Sequence, residues 1–206
     1  MKVVHFSEGL PLTDYLAIEQ DLVKSVEEPT LFTWVVQPTV IYGRHQRAAA
    51  EVNEAYCRAH GIAVVQRKSG GGCVYADEGN LMISFVSPNT HNEEVFAHFL
   101  TMIAKALQAK GLPAVTTAHN DILVDGRKVS GCACFTSPTG TIVHATLLYN
   151  VNIEAMLCAL TPSTDKLAKH GVASVRQRVA NLKELTTTFE DIQALRAYIE
   201  SFVAKL

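Results

Sequence analysis

The chain lacks the long apolar runs, the excess of one charge and the paired cysteines that mark several classes of protein. No stretch approaches the ~20 apolar residues of a membrane-spanning helix, and residues 1–6 do not read as the start of a signal peptide. The 18 basic and 20 acidic residues give a net charge of −2, which excludes a nucleic-acid binder that relies on bulk positive charge. We expect a cytoplasmic protein without membrane or nucleic-acid partners, in which any basic site is local.

The five cysteines do not form a disulfide framework or a zinc motif. Their number is odd and none of them has the CxxC spacing. Cys132 and Cys134 would share one face of a strand, too close in sequence for a disulfide there. We expect reduced thiols that pack as small apolar residues, as is usual in cytosolic proteins.

The 206 residues contain no repeat, low-complexity tract or obvious linker. We therefore expect one domain over residues 1–206, which would bury roughly 70% of its unfolded surface. A monomer is expected because no extra interface segment is apparent.

Apolar periodicity predicts helices over residues 14–26, 51–60, 93–110, 152–160, 165–170 and 189–206. Thr13 or Asp14 is expected to cap the first of these helices. β-Branched and alternating patterns predict strands over residues 31–36, 39–42, 62–67, 81–86, 122–124, 127–134 and 141–151. Because several strands follow one another without an intervening helix, we expect an α/β fold of the α+β type, with a mixed, largely antiparallel sheet flanked by helices.

Three consecutive glycines, Gly70–Gly72, lie between two strand patterns and directly follow Arg67, Lys68 and Ser69. Glycines let a backbone approach another group closely, and exposed backbone N–H groups next to cations suit a phosphate or carboxylate. The spacing matches neither the GxGxxG fingerprint nor the Walker sequence. An anion-binding loop and a merely flexible or bulged turn both remain open.

A second segment contains Asp125-Gly126, which predicts a tight hairpin. The hairpin would bring Asn120 and Asp121 alongside the returning strand that carries Lys128. A lysine on a rigid strand can act as a fixed charge against a phosphate or a developing oxyanion, and Asp121 could hold magnesium. The alternative is a solvated hairpin with ordinary charges.

Three further features have simpler interpretations. Residues 174–182, with the preceding Lys166 and Lys169, resemble a solvated helix end. His91 and His98 lie about two helical turns apart, which is too far to share a metal ion readily. Cys73, beside the glycines, is a candidate nucleophile, although packing as a small residue is the simpler and favoured interpretation.

Five segments resemble, in order, the motifs of the lipoate-protein ligase family. The family's RRSSGGGAVFHDLGN corresponds to QRKSGGGCVYADEGN at residues 66–80, and its ND…GRKISGSA to ND…GRKVSGCA at residues 120–133. Its HHGTLLLN corresponds to VHATLLYN at residues 143–150, its KGITSVRSRVTNL to HGVASVRQRVANL at residues 170–182, and its TVVIGRNQN to TVIYGRHQ at residues 39–46. Biotin ligases are less similar, since they carry a GRGRxG-type loop instead of the triple glycine. His119, Cys132 and Ala145 stand where the family has Arg, Ser and Gly.

The resemblance implies a catalytic domain of the biotin/lipoate ligase type and a two-step reaction. Lipoate would react with ATP, with magnesium as cofactor, to give lipoyl-adenylate and pyrophosphate. A lysine of a carrier domain would then take the lipoyl group and release AMP. The implied carriers are the apo lipoyl domains of 2-oxoacid dehydrogenase complexes or the glycine cleavage H protein.

The same resemblance assigns roles residue by residue. Lys128 would be the main catalytic residue, and Asp121 would hold magnesium. His144 and Gly131 would lie at the lipoyl pocket. The residues implied to bind ATP or lipoyl-adenylate are Arg67, Ser69, Gly70, Gly71, Gly72, Cys73, Val74, Tyr75, Asn120, Asp121, Lys128, Lys169 and Arg176.

Two alternatives remain beside the ATP-dependent ligase. Related acyltransferases transfer the acyl group without ATP by means of a cysteine upstream of the hairpin, where residues 114–118 contain none. A non-catalytic lipoate binder is the other alternative, although it would not need Lys128. Long family members also carry a small accessory domain, and because this sequence ends at Leu206, the resemblance implies that a separate accessory protein assists the reaction.

Overall fold

The computed structural model describes residues 1–118, 120–160 and 178–206. Its helices are α1 (Leu12–Ser25), α2 (Ala48–Glu51), α3 (Glu54–Ala59), α4 (Asn92–Gln108), α5 (Ile153–Ala159), α6 (Leu182–Leu185) and α7 (Ile192–Val203). Its strands are β1 (Lys2–Val3), β2 (Thr30–Trp34), β3 (Thr39–Tyr42), β4 (Ala63–Gln66), β5 (Val74–Ala76), β6 (Asn80–Ser87), β7 (Ala114–Thr116), β8 (Asp121–Val124), β9 (Arg127–Ser137) and β10 (Gly140–Leu148). In these residues, no helix combines the length and hydropathy needed to cross a membrane.

The strands form two sheets. A seven-stranded sheet has the order β1-β2-β6-β10-β9-β8-β7, and a three-stranded sheet has the order β4-β3-β5. The pairs β1–β2 and β3–β4 are parallel, whereas the remaining pairs are antiparallel. The expected mixed, largely antiparallel sheet flanked by helices is thus confirmed. The division into two sheets was not predicted, because it depends on which strands pair at long range.

The central strand β6 separates the main core from the face that carries the site. Its side chains alternate, so Ile83 and Phe85 pack in the core with α4, while Met82 packs with α1 on the opposite face. Seven apolar residues on one side of α4 are buried, namely Val95, Phe96, Phe99, Leu100, Ile103, Ala104 and Leu107. One face of the large sheet is therefore filled by α4, which leaves the other face to form a cavity with α1 and the small sheet.

Local boundaries differ from the predictions at two helices. Helix α1 begins at Leu12 after Pro11, without a side-chain cap; Thr13 lies inside the first turn, where its hydroxyl donates to Asp14 instead. The predicted helix over residues 51–60 begins later, as α3 at Glu54, because Asn53 caps it by accepting a hydrogen bond from the backbone N–H of Tyr56; Glu51 ends the separate short helix α2. The predicted helix over residues 165–170 lies outside the described residues.

Candidate active site

A cavity of about 300 Å³ lies between α1, the small sheet and the large sheet. Its apolar wall consists of Leu12, Leu16, Trp34, Ile41 and Met82. Its polar lining includes Arg67, Asn120, Asp121, Lys128 and His144. The cavity can therefore accommodate a molecule that has an apolar body and an anionic end.

Lys128 and Asp121 form an ion pair at the polar end of the cavity. The Lys128 Nζ lies 2.7 Å from Asp121 Oδ1, and the two side chains are 37% and 24% exposed. The β8–β9 hairpin turns through Asp125 and Gly126, both with positive φ, as the Asp-Gly signal predicted. Its strands shift register between Ile122 and Leu123, and such a bulge re-aims side chains near a site. The hairpin thus presents an accessible cation together with the carboxylate that orients it.

Gly131 provides the space in which the Lys128 side chain lies. A Cβ atom at this position would be 3.0 Å from both Cε and Nζ of Lys128. Any larger residue would therefore displace the ammonium group. Gly131 lines the cavity, and the contact adds a steric reason for a glycine there.

Arg67 occupies a different position from the one its charge suggested. Its side chain is only 5% exposed, and burial lowers its pKa from the ordinary value. The guanidinium donates to the carbonyl oxygens of Ile41 at 3.0 Å, Gly70 at 2.7 Å and Gly72 at 2.6 Å. It also donates to Ser69 Oγ at 3.0 Å. Arg67 lines the cavity, but its donors hold the glycine loop (residues 69–73) in shape.

The glycine loop can offer backbone donors to a ligand. Gly71, Gly72, Cys73 and Val74 line the cavity, and Gly71 has a φ of +88°, a conformation that other residues rarely adopt. Within residues 1–118, 120–160 and 178–206, the N–H groups of Gly70–Gly72 have no hydrogen-bond acceptor. The loop therefore combines free donors with a buried arginine that fixes its carbonyl groups.

Three predicted residues lie beside the cavity without lining it. The Ser69 hydroxyl contacts His144 Nε2 at 2.6 Å and borders a second cavity. The carbonyl of Gly70 binds Arg67. The Tyr75 side chain packs in the core of the small sheet, where burial raises its pKa. Lys169 and Arg176 lie outside the described residues.

Sequence reasoning missed the apolar wall and two polar residues next to it. Alternation in β6 and the apolar face of α1 contained the signal for Leu16 and Met82, but only the fold shows that these faces meet. Glu19 was not singled out, although it is 1% exposed and contacts His144. Asn80, which closes the glycine motif, is fully buried, and neither atom of its carboxamide has a partner in the described part of the chain.

Two thiols line the cavity, Cys73 and Cys132. Burial raises the pKa of each to about 12, which outweighs the lowering effects of Arg67 on Cys73 and Lys128 on Cys132. Both are therefore protonated at neutral pH and are poor nucleophiles. All five cysteines are free thiols, as expected.

No group of three or more His, Cys, Asp or Glu side chains in the described residues could hold a metal ion by itself. Asp121 remains a single carboxylate at the polar end of the cavity. Magnesium commonly binds one or two carboxylates together with substrate phosphates, so this donor set fits an ion that arrives with a nucleotide.

Comparison with known proteins gives one consistent result. The model of the lipoyl protein ligase A/B catalytic domain matches residues 11–203. Lipoate-protein ligase LplJ of Bacillus subtilis is 37% identical over 190 residues, which cover 89% of this chain and 56% of that protein. The chain thus spans about half the length of the curated relatives it matches.

Solved structures share the fold. A bi-partite lipoate protein ligase from Thermoplasma acidophilum has a TM-score of 0.83 at 23% identity, covering 98% of this chain and 81% of that one. A lipoate-protein ligase A bound with ATP has a TM-score of 0.83 at 23% identity, covering 99% and 84%. At this identity the likeness establishes the architecture.

Proposed function

We propose that this chain, which belongs to the lipoyl protein ligase A/B catalytic-domain family, activates lipoate with ATP and transfers the lipoyl group to a lysine of a carrier domain. The observation that supports this most strongly is the division of one cavity into an apolar wall and a cationic end with free backbone donors. Lipoate has a matching division between its apolar chain and its carboxylate.

In the first step, a carboxylate oxygen of lipoate attacks the α-phosphorus of ATP. A new bond forms between that oxygen and phosphorus, and the bond to the bridging oxygen breaks to release pyrophosphate. Lys128 would contact both the carboxylate and the α-phosphate; its place in the lining of the cavity supports this role. A fixed cation there offsets the negative charge that would otherwise keep the two anions apart. The N–H groups of the glycine loop would bind phosphate oxygens.

In the second step, the neutral amine of the carrier lysine attacks the acyl carbon of lipoyl-adenylate. The bond between that carbon and the phosphate oxygen breaks, and AMP leaves with the electron pair. The amine loses one proton as the amide forms. Lys128 would now stabilise the departing phosphate, so one side chain serves both steps.

Magnesium, when carried in with ATP, would neutralise phosphate charge and would take Asp121 as its protein ligand. Asp121 also orients Lys128.

The carrier is proposed to be an apo lipoyl domain of a 2-oxoacid dehydrogenase complex or a glycine cleavage H protein. A second, accessory protein is included in the proposal because one structural neighbour is a bi-partite lipoate protein ligase. The reaction is placed in the cytoplasm, where free thiols such as the five cysteines stay reduced.

The test is pyrophosphate release from ATP and lipoate by the 206-residue chain, with Lys128→Ala and Lys24→Ala in parallel. Lys24 is a matched control, because it also pairs with an aspartate at 2.7 Å but on the exposed surface. We expect lipoate-dependent release that falls about 10²–10³-fold in Lys128→Ala and stays within about twofold in Lys24→Ala.

If the chain releases no pyrophosphate, lipoyl-adenylate is supplied with an apo carrier domain. Transfer that requires Lys128 would then assign the second step to this chain and the first to its complex with the accessory protein. Absence of both activities, with a folded chain, would reject the ligase proposal in favour of a lipoate binder.

The ATP-independent acyltransferase is the second candidate, because Cys73 and Cys132 line the cavity. Burial argues against it, since it raises the pKa of each thiol to about 12 and leaves little thiolate to accept an acyl group. Mass-spectrometric detection of a thioester on either cysteine after incubation with an acyl carrier would favour this candidate.

A further inference from the structure

A chain of buried hydrogen bonds connects helix α1 with the glycine loop. Glu19, on α1, is 1% exposed. Its Oε1 accepts a hydrogen bond from Ser84 Oγ at 2.5 Å, and its Oε2 lies 3.2 Å from His144 Nδ1. On the far side of the imidazole, His144 Nε2 lies 2.6 Å from Ser69 Oγ, and Ser69 in turn accepts from Arg67 Nε at 3.0 Å.

The chemistry of the two ends determines where each proton in this chain lies. Arg67 can only donate, so Ser69 accepts its N–H. An ionised Glu19 can only accept, so His144 Nδ1 carries a proton, and in a neutral imidazole Nε2 is then unprotonated and accepts from the Ser69 hydroxyl. The order of donation is therefore Arg67 to Ser69, Ser69 to His144, and His144 to Glu19, so that the chain runs from a buried cation to a buried carboxylate.

Among the described residues no hydrogen bond joins Glu19 directly to the glycine loop, and the two are connected through His144 and Ser69. The Trp34 indole donates to Ser84 at 2.8 Å, which fixes the hydroxyl that donates to Glu19. The Glu19 carboxylate thus accepts from Ser84 on β6 and from His144 on β10. Because the same imidazole also contacts Ser69, its orientation determines where the Ser69 hydroxyl lies. Arg67, bonded to Ser69, also holds the carbonyl groups of Gly70 and Gly72.

We propose that Glu19 is a positioning residue that, through His144 and Ser69, holds the glycine loop against the large sheet in the conformation that binds the phosphates of ATP. The effect on ATP rests on the proposed function, whereas the proton order within the chain does not. A carboxylate is required because both of its oxygens accept.

Replacement of Glu19 by glutamine keeps the shape but turns one acceptor into a donor. If the amide N–H₂ faces His144, the imidazole must move its proton from Nδ1 to Nε2. Ser69 would then face two donors, Arg67 and His144, and its own proton would lose its acceptor. The hydrogen bond between Ser69 and His144 would weaken first. The glycine loop, which Ser69 and Arg67 hold, would then become less ordered.

The comparison variant is Ser84→Ala, which removes the other hydrogen bond to Glu19 and the acceptor of the Trp34 indole. Ser84 lies opposite His144 in the β6–β10 pair, but its hydroxyl is bonded to Glu19 and Trp34, so the Glu19–His144 hydrogen bond is left in place. The first readout is the ¹⁵N spectrum of the imidazoles, with the His144 signals assigned by their loss in His144→Gln. We expect Nε2 to be unprotonated in the natural chain and in Ser84→Ala, and protonated in Glu19→Gln. A natural chain with the proton on Nε2 overturns the proposal.

The second readout is the KM for ATP beside the melting temperature. We expect Glu19→Gln to raise KM for ATP about tenfold, the size of one lost hydrogen bond, while Ser84→Ala changes KM less than twofold at a comparable loss of melting temperature. Equal KM values in the two variants would mean that Glu19 only stabilises the fold, which overturns the proposal.

The third readout needs no substrate and so remains valid even if the ligase proposal fails. Glu19→Gln, Ser69→Ala and the double variant form a thermal-stability cycle. We expect the double variant to melt close to the less stable single variant, because both break the same chain at His144. Additive losses in melting temperature would overturn the connection between the two residues.

Discussion

Two cations line the cavity, and they differ in what holds them. Lys128 is bound by one carboxylate and is 37% exposed on the side chain, whereas Arg67 is 5% exposed and donates to three carbonyl groups and a hydroxyl. The ammonium of Lys128 can therefore turn to a ligand by breaking one ion pair. The guanidinium of Arg67 could do so only by releasing the glycine loop.

A cation next to a phosphate-binding motif can have two roles: it can bind the ligand itself, or it can hold the backbone that binds the ligand. Both residues belong to segments in which charge and glycine lie together, and both were expected to bind anions. Arg67 lines the cavity and also builds its surface, since the five donors and the planar form of a guanidinium suit several carbonyl oxygens at once. Lys128 has a flexible aliphatic chain and a compact charge. Its ammonium can therefore shift to stay in contact with the reacting groups in both proposed steps.

Replacing Arg67 by methionine tests this difference most severely. The side chain would fill a similar volume while two buried and two part-buried acceptors lose their donor, and we expect the free energy of unfolding to fall by about 3 kcal/mol. Lys68→Met, in the neighbouring exposed position, is the control and should change it by less than about 0.5 kcal/mol. Urea unfolding followed by circular dichroism measures both. A stable Arg67→Met variant that has lost only ATP binding would show that the arginine serves the ligand instead of the loop.

Replacing Gly131 by alanine tests the role of Lys128, the other cation of the comparison. A Cβ would lie 3.0 Å from Cε and Nζ of Lys128, so the ammonium must move while the strand stays in place. We expect pyrophosphate release to fall about 10–100-fold, as for a misplaced charged group, with little change in the midpoint of urea unfolding.

The control for Gly131→Ala is the same substitution in a Lys128→Ala background. There the added methyl group has nothing to displace, so it should lower the residual activity no further. A further loss of similar size in the double variant would mean that Gly131 acts on the substrate and not through Lys128.

The parts of the site that the sequence predicted are those with local causes. Asp125-Gly126 determines its own turn, and the turn places Asp121 near Lys128 whatever the rest of the chain does. The triple glycine and the apolar side of α4 are equally local signals. Strands that follow one another without an intervening helix predicted the fold class, and the likeness of the ordered motifs to a family gave the proposed reaction.

The parts that could not be predicted depend on contacts between distant segments. Glu19 and His144 are 125 positions apart, and a glutamate in an amphipathic helix reads as a surface residue until its partner is known. The apolar wall likewise joins residues of α1, β2, β3 and β6. The role of Arg67 could not be read from its neighbours, because a buried and an exposed arginine have the same sequence signature.

Cys73 lies near Arg67 and Cys132 near Lys128, so the reactivity of each thiol depends on the charge of its neighbouring cation. The predictions for these two thiols have the smallest expected effects. Arg67 lowers the pKa of Cys73 and Lys128 lowers that of Cys132, yet burial raises both to about 12. At pH 8 the thiolate fraction is then about a thousandfold below that of an unfolded cysteine of pKa about 8.5. We expect iodoacetamide to modify the exposed Cys158 first, and the rates at Cys73 and Cys132 to keep rising with pH towards 12, as measured by peptide mass spectrometry.

The raised thiol pKa values also predict the direction of the stability change with pH. The folded chain retains these two protons up to about pH 12, whereas the unfolded chain loses them above pH of about 8.5. Their contribution to stability is therefore complete below that lower value and decreases as the pH rises between the two. Rapid alkylation of Cys132 at pH 8 in the folded chain would contradict this order. It would mean that Lys128 outweighs burial, and it would bring the acyltransferase candidate back into consideration.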